Sequence, residues 1–528
     1  MSSNKVNNSL SIATPHPHGM GLGEKAGIGI GVFGLLILFV TMAGINLPSK
    51  TAFLTASILF MIVGTVIYAR ALYLKHPEGI KNNGVWFKSI SNRGLIGWIT
   101  GILLTGFYIL LYWFPELLGL GKDGAANTGI VAFFDPLSKS LNGNAASQWF
   151  VYGTLYTVAI LALGYKFILK YRHNKYQVIR TISVMFFQLG IAFLLPEVLQ
   201  ALNKPYYNFA NMWPLNYYFF DGWHIKQLSA SGALGLFMLV FGIAMFLLIS
   251  PILTYFYGKR WYCSWVCGCG GLAETAGDPF RHLSDKSVRA WKIERWMIHL
   301  VLVFSTIMTA AVLFSFFHGS QQKYWVTKPI FTGIVIVIFG GIAGLLLLRP
   351  NYFRNMDKKA KVITFAITGL LIIASVVMFS LDKKNLFFID AGKLRSVYGF
   401  LIGSAFSGVI GVGFYPIMGS RVWCRFGCPM AAILGLQQRF FSRFRITTNG
   451  GQCISCGNCS TYCEMGIDVR AYAQKGQNIV RASCVGCGIC SAVCPRGVLR
   501  LENSAIDIKD RTTALKTIHI SEDSVTLL

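Results

Sequence analysis

Long apolar runs separated by short basic loops dominate the chain. Residues 28–47, 51–68 and 232–253 contain no Lys, Arg, Asp or Glu, which is the length and composition a membrane-crossing helix requires. The same pattern predicts about ten spanning helices, at 26–46, 51–71, 94–115, 148–169, 178–199, 230–257, 296–317, 327–349, 360–381 and 397–418. An even number of spans puts both termini on one side. The longer loops on the other side are then 116–147, 200–229, 318–326 and 382–396. Within 200–229, Tyr206, Tyr207, Trp213, Tyr217, Tyr218, Phe219, Phe220 and Trp223 read as an aromatic belt at headgroup level, with a substrate or partner surface as the alternative.

Composition agrees with this pattern. The chain has 528 residues, 54% hydrophobic and only 13% charged, too apolar for an ordinary soluble domain. Its net charge of +27 would suit a polyanion partner, but the basic residues cluster between apolar runs. Lys75, Lys81, Lys88 and Arg93 form one group, Lys170, Arg172, Lys175 and Arg180 a second, and Arg349, Arg354, Lys358, Lys359 and Lys361 a third. This is the positive-inside distribution, so the expected partner is a lipid bilayer and not nucleic acid. It places both termini on the cytoplasmic side. The loop 382–396, with Lys383, Lys384, Lys393 and Arg395, fits the rule poorly.

The thirteen cysteines fall in three tight groups, the arrangement of metal ligands in a reducing compartment and not of scattered disulfides. From Cys453 the chain reads Cys453-x2-Cys456-x2-Cys459-x3-Cys463, and from Cys484 it reads Cys484-x2-Cys487-x2-Cys490-x3-Cys494-Pro495. This is the two-cluster ferredoxin spacing, in which the fourth cysteine of each run serves the other cluster. One [4Fe-4S] cluster is therefore expected on Cys453, Cys456, Cys459 and Cys494, and another on Cys484, Cys487, Cys490 and Cys463. Gly457, Gly486 and Gly488 lie inside these loops, where positive φ and close backbone approach are needed. Two zinc sites would also use eight thiols, but the repeated run closed by proline favours iron and sulfur.

Shifting the chain by 161 residues exposes a repeat. Gly258-Lys259-Arg260-Trp261-Tyr262-Cys263-Ser264-Trp265-Val266-Cys267 aligns with Gly419-Ser420-Arg421-Val422-Trp423-Cys424-Arg425-Phe426-Gly427-Cys428. Each copy follows a span arriving at the cytoplasmic face, and together they suggest a pseudo-symmetric core. If helical, each thiol pair shares a face one turn apart, and Arg260 or Arg421 beside it would lower its pKa. Three readings stay open: a further metal or cluster site on Cys263, Cys267, Cys424 and Cys428 with Cys269 spare, redox-active dithiols, or small buried residues. His299 and His318 have no partner suited to haem, and no haem is expected. Glu116, Glu197 and His224 lie where quinone chemistry would need an ionisable group. No nucleotide-binding or hydrolytic motif can be placed.

The helix-end motifs Arg260-Trp261-Tyr262-Cys263-Ser264-Trp265-Val266-Cys267 and Trp423-Cys424-Arg425-Phe426-Gly427-Cys428-Pro429, followed by a two-cluster ferredoxin, resemble the NapH/NosR-type membrane polyferredoxins over residues 230–500. The resemblance implies electron traffic between a cytoplasmic or quinone pool and a respiratory or periplasmic reductase system, or a part in that system's maturation or redox sensing. The family's C-x3-C-P motif survives only at Cys428-Pro429, since Gly268-Cys269 follows Cys267. The flavin-acceptor motif of NosR-like members is missing, so no covalent FMN is expected, and the spans before residue 200 go unexplained.

The expected fold is a polytopic α-helical membrane protein with a C-terminal α+β two-cluster bacterial-ferredoxin domain. Its parts are a cytoplasmic tail 1–25, N-terminal helices 26–229, a repeated core 230–437, a ferredoxin domain 438–503 and a tail 504–528. The expected function is electron relay, through the Cys484 cluster, then the Cys453 cluster, then the helix ends. No stand-alone catalytic residue is expected, and a redox-coupled transporter is the remotest alternative, since the spans carry few charges.

Overall fold

The computed structural model describes residues 20–45, 47–74, 91–122, 124–319, 326–348, 358–386, 390–503, 518–521 and 524–527. The N-terminal tail to residue 19, the loop residues Lys75, Lys81, Lys88, Arg349 and Arg354, and most of the tail from Ser504 lie outside them.

Nine helices among the described residues are long and apolar enough to cross a bilayer: α1 Leu22–Met42, α2 Lys50–Tyr73, α3 Leu95–Trp113, α4 Gln148–Lys170, α5 Lys175–Ala201, α6 Gly232–Tyr257, α7 Val288–Gly319, α8 Lys328–Leu348 and α9 Ala360–Ser380. Each matches an apolar run to within a few residues, except that α7 starts eight residues early. Glycine lets α1 and α2 cross closely, for a Cβ on Gly64 would come within 2.5 Å of the Gly31 nitrogen.

The tenth expected span, 397–418, is not a simple helix. Here α10 begins as Ala391–Tyr398, continues as a wider π-helical coil over Gly399–Ile410, breaks, and resumes at Tyr415–Met418. Its glycines admit rings from neighbouring segments: Tyr217 packs on Gly403, and Tyr108 and Tyr112 on Gly408.

The aromatic segment 200–229 departs from a headgroup belt. Tyr207, Trp213 and Phe219 are buried against α6, while Tyr206 and Trp223 remain exposed. Trp213 gives its indole N–H to the Thr309 hydroxyl in α7 at 2.9 Å. Burying an indole requires such an acceptor, so these rings are structural core.

After α10 the chain forms α11, Pro429–Phe441, and then the cysteine-rich module. That module is closed by an antiparallel pair, β1 Arg445–Thr448 and β2 Leu499–Glu502, in the register Arg445↔Glu502 to Thr448↔Leu499. The module sits on one end of the helical body. Tyr176, at the start of α5, donates to the Gly486 carbonyl at 2.9 Å, Gln177 donates to the Cys487 carbonyl at 2.8 Å, and Ser264 donates to the Val485 carbonyl at 2.8 Å. Phe167 and Tyr171 pack against Tyr462, Ile489 and Val493. The entry to α3 joins the same end, where Arg93 donates to the Ile417 carbonyl at 2.7 Å.

Candidate metal centres

The cysteine loops of the module fold alike. Gly457 and Gly488 take φ of 79° and 75° and start the short helices Asn458–Thr461 and Ile489–Ala492, so Cys459 and Cys490 occupy matching positions. Two residues before each of these glycines, Gly486 has φ of 62° and Ser455 has φ of 57°, so one loop keeps a serine where the other has the residue suited to that backbone.

Two cavities result, with similar atom-free volumes of about 360 and 380 Å³. The first is lined by Cys453, Cys456, Cys459 and Cys494. The second is lined by Cys463, Cys484, Cys487 and Cys490. Each thus gathers three thiols from one run and the fourth from the other.

Thiol spacing tests what these cavities fit. Zinc–sulfur bonds of about 2.3 Å bring the sulfurs of a tetrahedral site to roughly 3.8 Å from one another. Among the described residues, the one group of three candidate ligands converging within 4.8 Å is Glu274, Glu464 and Cys487. No three thiols among the described residues reach zinc spacing, so each set is spaced for a group wider than one ion. Backbone amides also point at sulfur: Met465 and Ile467 donate to Cys463, Gly486 to Cys484, and Ile489 to Cys487. Donors of this kind stabilise an iron–sulfur group, and the residues present fit one in each cavity.

The five remaining thiols also come together. Cys263, Cys267, Cys424 and Cys428 are buried in one core, with Cys269 packed against it. Their local geometry differs from a shared helical face. Cys263 ends the short helix Arg260–Cys263, whereas Cys267 and Cys428 are extended N-cap residues of Gly268–Thr275 and α11. Each pair therefore straddles a break. The Cys428 sulfur accepts from the Ala431 amide at 3.4 Å, and Cys267 and Cys269 share a side-chain hydrogen bond.

The expected Arg effect on these thiols is outweighed by burial. Desolvation pushes Cys263 up to about 12 against Lys259 and Arg421, and it raises Cys424 and Cys428 as well. Only Cys267 is lowered, to about 7, chiefly by the bond from Cys269. The two arginines are also unequal. Arg421 approaches the Cys424 sulfur at 3.6 Å and donates to the Cys263 carbonyl, whereas Arg260 turns away to Asn503.

A buried ionic network, unforeseen in the sequence, joins the second cavity to these thiols. Glu464, next to Cys463, accepts from Arg281 at 2.7 Å and from Arg421 at 3.0 Å. Arg421 also pairs with Glu274 at 2.5 Å, and Glu274 pairs with Arg180. Asp278 binds Lys170 at 2.6 Å and Arg281 at 2.8 Å. The Glu274, Glu464 and Cys487 group is thus a node of ion pairs and not a metal cage. One signal was present: the chain has only 21 acidic residues, and Glu274, Asp278 and Glu464 all fall beside cysteine motifs.

These contacts reverse the expected order of the two cavities. The Cys484–Cys490 loop lies against α5 and the Cys263 motif, while the Cys453 loop carries exposed Ile454 and Ser455. Linear sequence holds no record of which loop faces inward. Among the other candidates, His318 and Lys328 meet at 3.0 Å, and His299 bonds its own helix at the Arg295 carbonyl. Glu116 pairs with Lys122, Glu197 accepts from Asn142, and His224 bonds the Phe219 carbonyl.

Residues 452–499 match the family model described as a 4Fe-4S dicluster domain. Residues 235–288 and 401–447 match one described as a 4Fe-4S binding domain. These last two segments enclose both helix-end thiol pairs. Among curated proteins, the chain is 25% identical over 253 residues to YccM of Escherichia coli (strain K12), whose name refers to electron transport. The match covers 47% of this chain and 55% of YccM, so the chain spans about half the length of that relative. No solved structure matches. The protein is a helical membrane protein carrying ferredoxin-type iron–sulfur domains.

Proposed function

We propose that the protein relays electrons between a soluble carrier and a site in its membrane core, using two [4Fe-4S] clusters in the module and a third centre at the helix ends. Cys453, Cys456, Cys459 and Cys494 hold the outer cluster. Cys484, Cys487, Cys490 and Cys463 hold the inner one. Cys263, Cys267, Cys424 and Cys428 hold the third centre, with Cys269 hydrogen-bonded beside it. When bound, such groups supply one-electron exchange without making or breaking covalent bonds to substrate.

The observation that carries this reading is the succession of an outer four-thiol cavity, a second one set against the helical body and a largely buried group of five thiols, joined through Glu464 and Arg421. The chain's own residues fix the path. Arg421 holds the second cavity and the Cys424 thiol in one rigid network, amides aimed at sulfur stabilise added charge, and the apolar core around the helix-end thiols excludes water.

The electron-transport name of YccM supports the same reading, and the helix-end motifs support the NapH/NosR subtype. The basic loops favour the module on the cytoplasmic side, and the resemblance to the NapH/NosR type favours a bacterial cytoplasmic membrane. The far partner is then a quinone or a respiratory reductase system. Anaerobic potentiometry followed by EPR tests the relay. Reduced protein is expected to show spin-coupled [4Fe-4S] signals, and Cys484→Ser is expected to leave an uncoupled one. Protein that purifies with zinc and gives no reducible signal would contradict it.

A further inference from the structure

The outer cavity is dressed for a partner, and the inner one is not. Of the two cavities, only the outer has exposed charged side chains on its rim: Arg470 and Arg496 both line it and both face solvent. The Arg470 guanidinium lies over the loop, since a Cβ on Gly457 would meet its Nη1 at 3.9 Å. Ile454 lines the same cavity and is 46% exposed, and Pro495 beside Arg496 is also exposed. Exposed Lys475 follows at the end of the helix Val469–Gln474 that carries Arg470.

Among the described residues no carboxylate lines this cavity, and the nearest in sequence to Arg470 is Asp468, the N-cap of its helix. Glu464 is buried in ion pairs on the inner side, Asp468 is held by Ser460 at 2.6 Å, and Glu502 stands opposite Arg445 in the β-pair. The result is a small apolar centre ringed by cations over thiols that are partly exposed. A compact patch of this kind suits a brief encounter, because weak electron-transfer contacts are small and charge complementarity governs how fast they form.

We infer that the Ile454, Arg470 and Arg496 face is the docking surface for a soluble one-electron carrier protein with an acidic face around its own redox group. The inference rests on the relay reading and adds the partner's chemistry and its point of contact. One electron crosses per encounter: the carrier loses it and this protein gains it, with no bond made or broken and no proton required. A lipid headgroup is the less favoured occupant, because the module meets the helical body through the inner loop and the segment around Glu464.

The test uses full-length protein in nanodiscs of zwitterionic lipid, with reduced flavodoxin as the acidic carrier and a neutral photoreductant as the control. Reduction of wild type by flavodoxin is expected to slow as salt is raised. Arg470→Glu with Arg496→Glu is expected to slow it tenfold or more at low ionic strength and to abolish the salt dependence. Iron content, EPR signals and reduction by the neutral reagent should stay at wild-type values, and Arg470→Lys with Arg496→Lys should restore most of the rate. Wild-type rate and salt dependence in the Glu variant would overturn the inference. So would a defect seen only when the discs contain anionic lipid, which would identify a headgroup site. Wild-type protein without a reducible cluster would instead sink the relay reading, and this inference with it.

Discussion

Glu464 ties the cysteine-rich module to the helical body. It is almost fully buried and accepts from two guanidiniums, Arg281 and Arg421, which belong to the two halves of the repeat. Removing one partner of a buried ion pair strands the other, at a cost of about 3–5 kcal/mol. Glu464→Gln is therefore expected to lower thermal stability sharply in detergent, whereas charge removal at exposed Lys475 should change it little. Acid should act in the same way. Burial pushes Glu464 and Asp278 up, but the surrounding Arg and Lys charges outweigh it and hold both below the usual carboxylate range. A lowered native pKa gives stability that is complete above the unfolded value and drains away as pH falls through the native one. The melting temperature should thus stay nearly level down to about pH 4–5 and fall below it, with a shallower fall in Asp278→Asn.

At the level of elements, α5 gains a purpose that the helix-end motifs could not supply. The first turn of α5 grips the inner cysteine loop through Tyr176 and Gln177. Each such bond contributes about 1 kcal/mol, so Tyr176→Phe with Gln177→Ala should speed amide exchange in residues 484–490 by roughly five- to thirtyfold while residues 453–459 keep their rates. Equal acceleration in both loops would mean general loosening of the module. Nine spans were legible because a helix buried in lipid must be apolar along its length. The run 397–418 looked the same by hydropathy, yet Gly399, Gly403 and Gly408 make room for tyrosine rings from other segments, and that packing leaves no periodic trace. Trp213 and Phe219 were misread for a related reason: an aromatic run suits a membrane interface or a protein core equally until its neighbours are known.

Across the whole molecule, the sequence marks the thiols and the fold arranges them. The spacing from Cys453 to Cys494 anticipated which four thiols line each cavity, because a short loop around a cubane leaves little choice of partner. The order of the cavities depends instead on contacts such as Ser264 to Val485, more than two hundred residues apart, and was not legible. The central claim is that the helix-end thiols hold a third iron–sulfur centre in line with the other two. It is tested most directly by an anaerobic count of iron and acid-labile sulfide in wild type and in the Cys263/Cys267/Cys424/Cys428 to Ser variant. The account predicts about twelve irons falling to about eight, at four per cluster. About eight in both proteins would contradict it and would end the relay at the inner cavity.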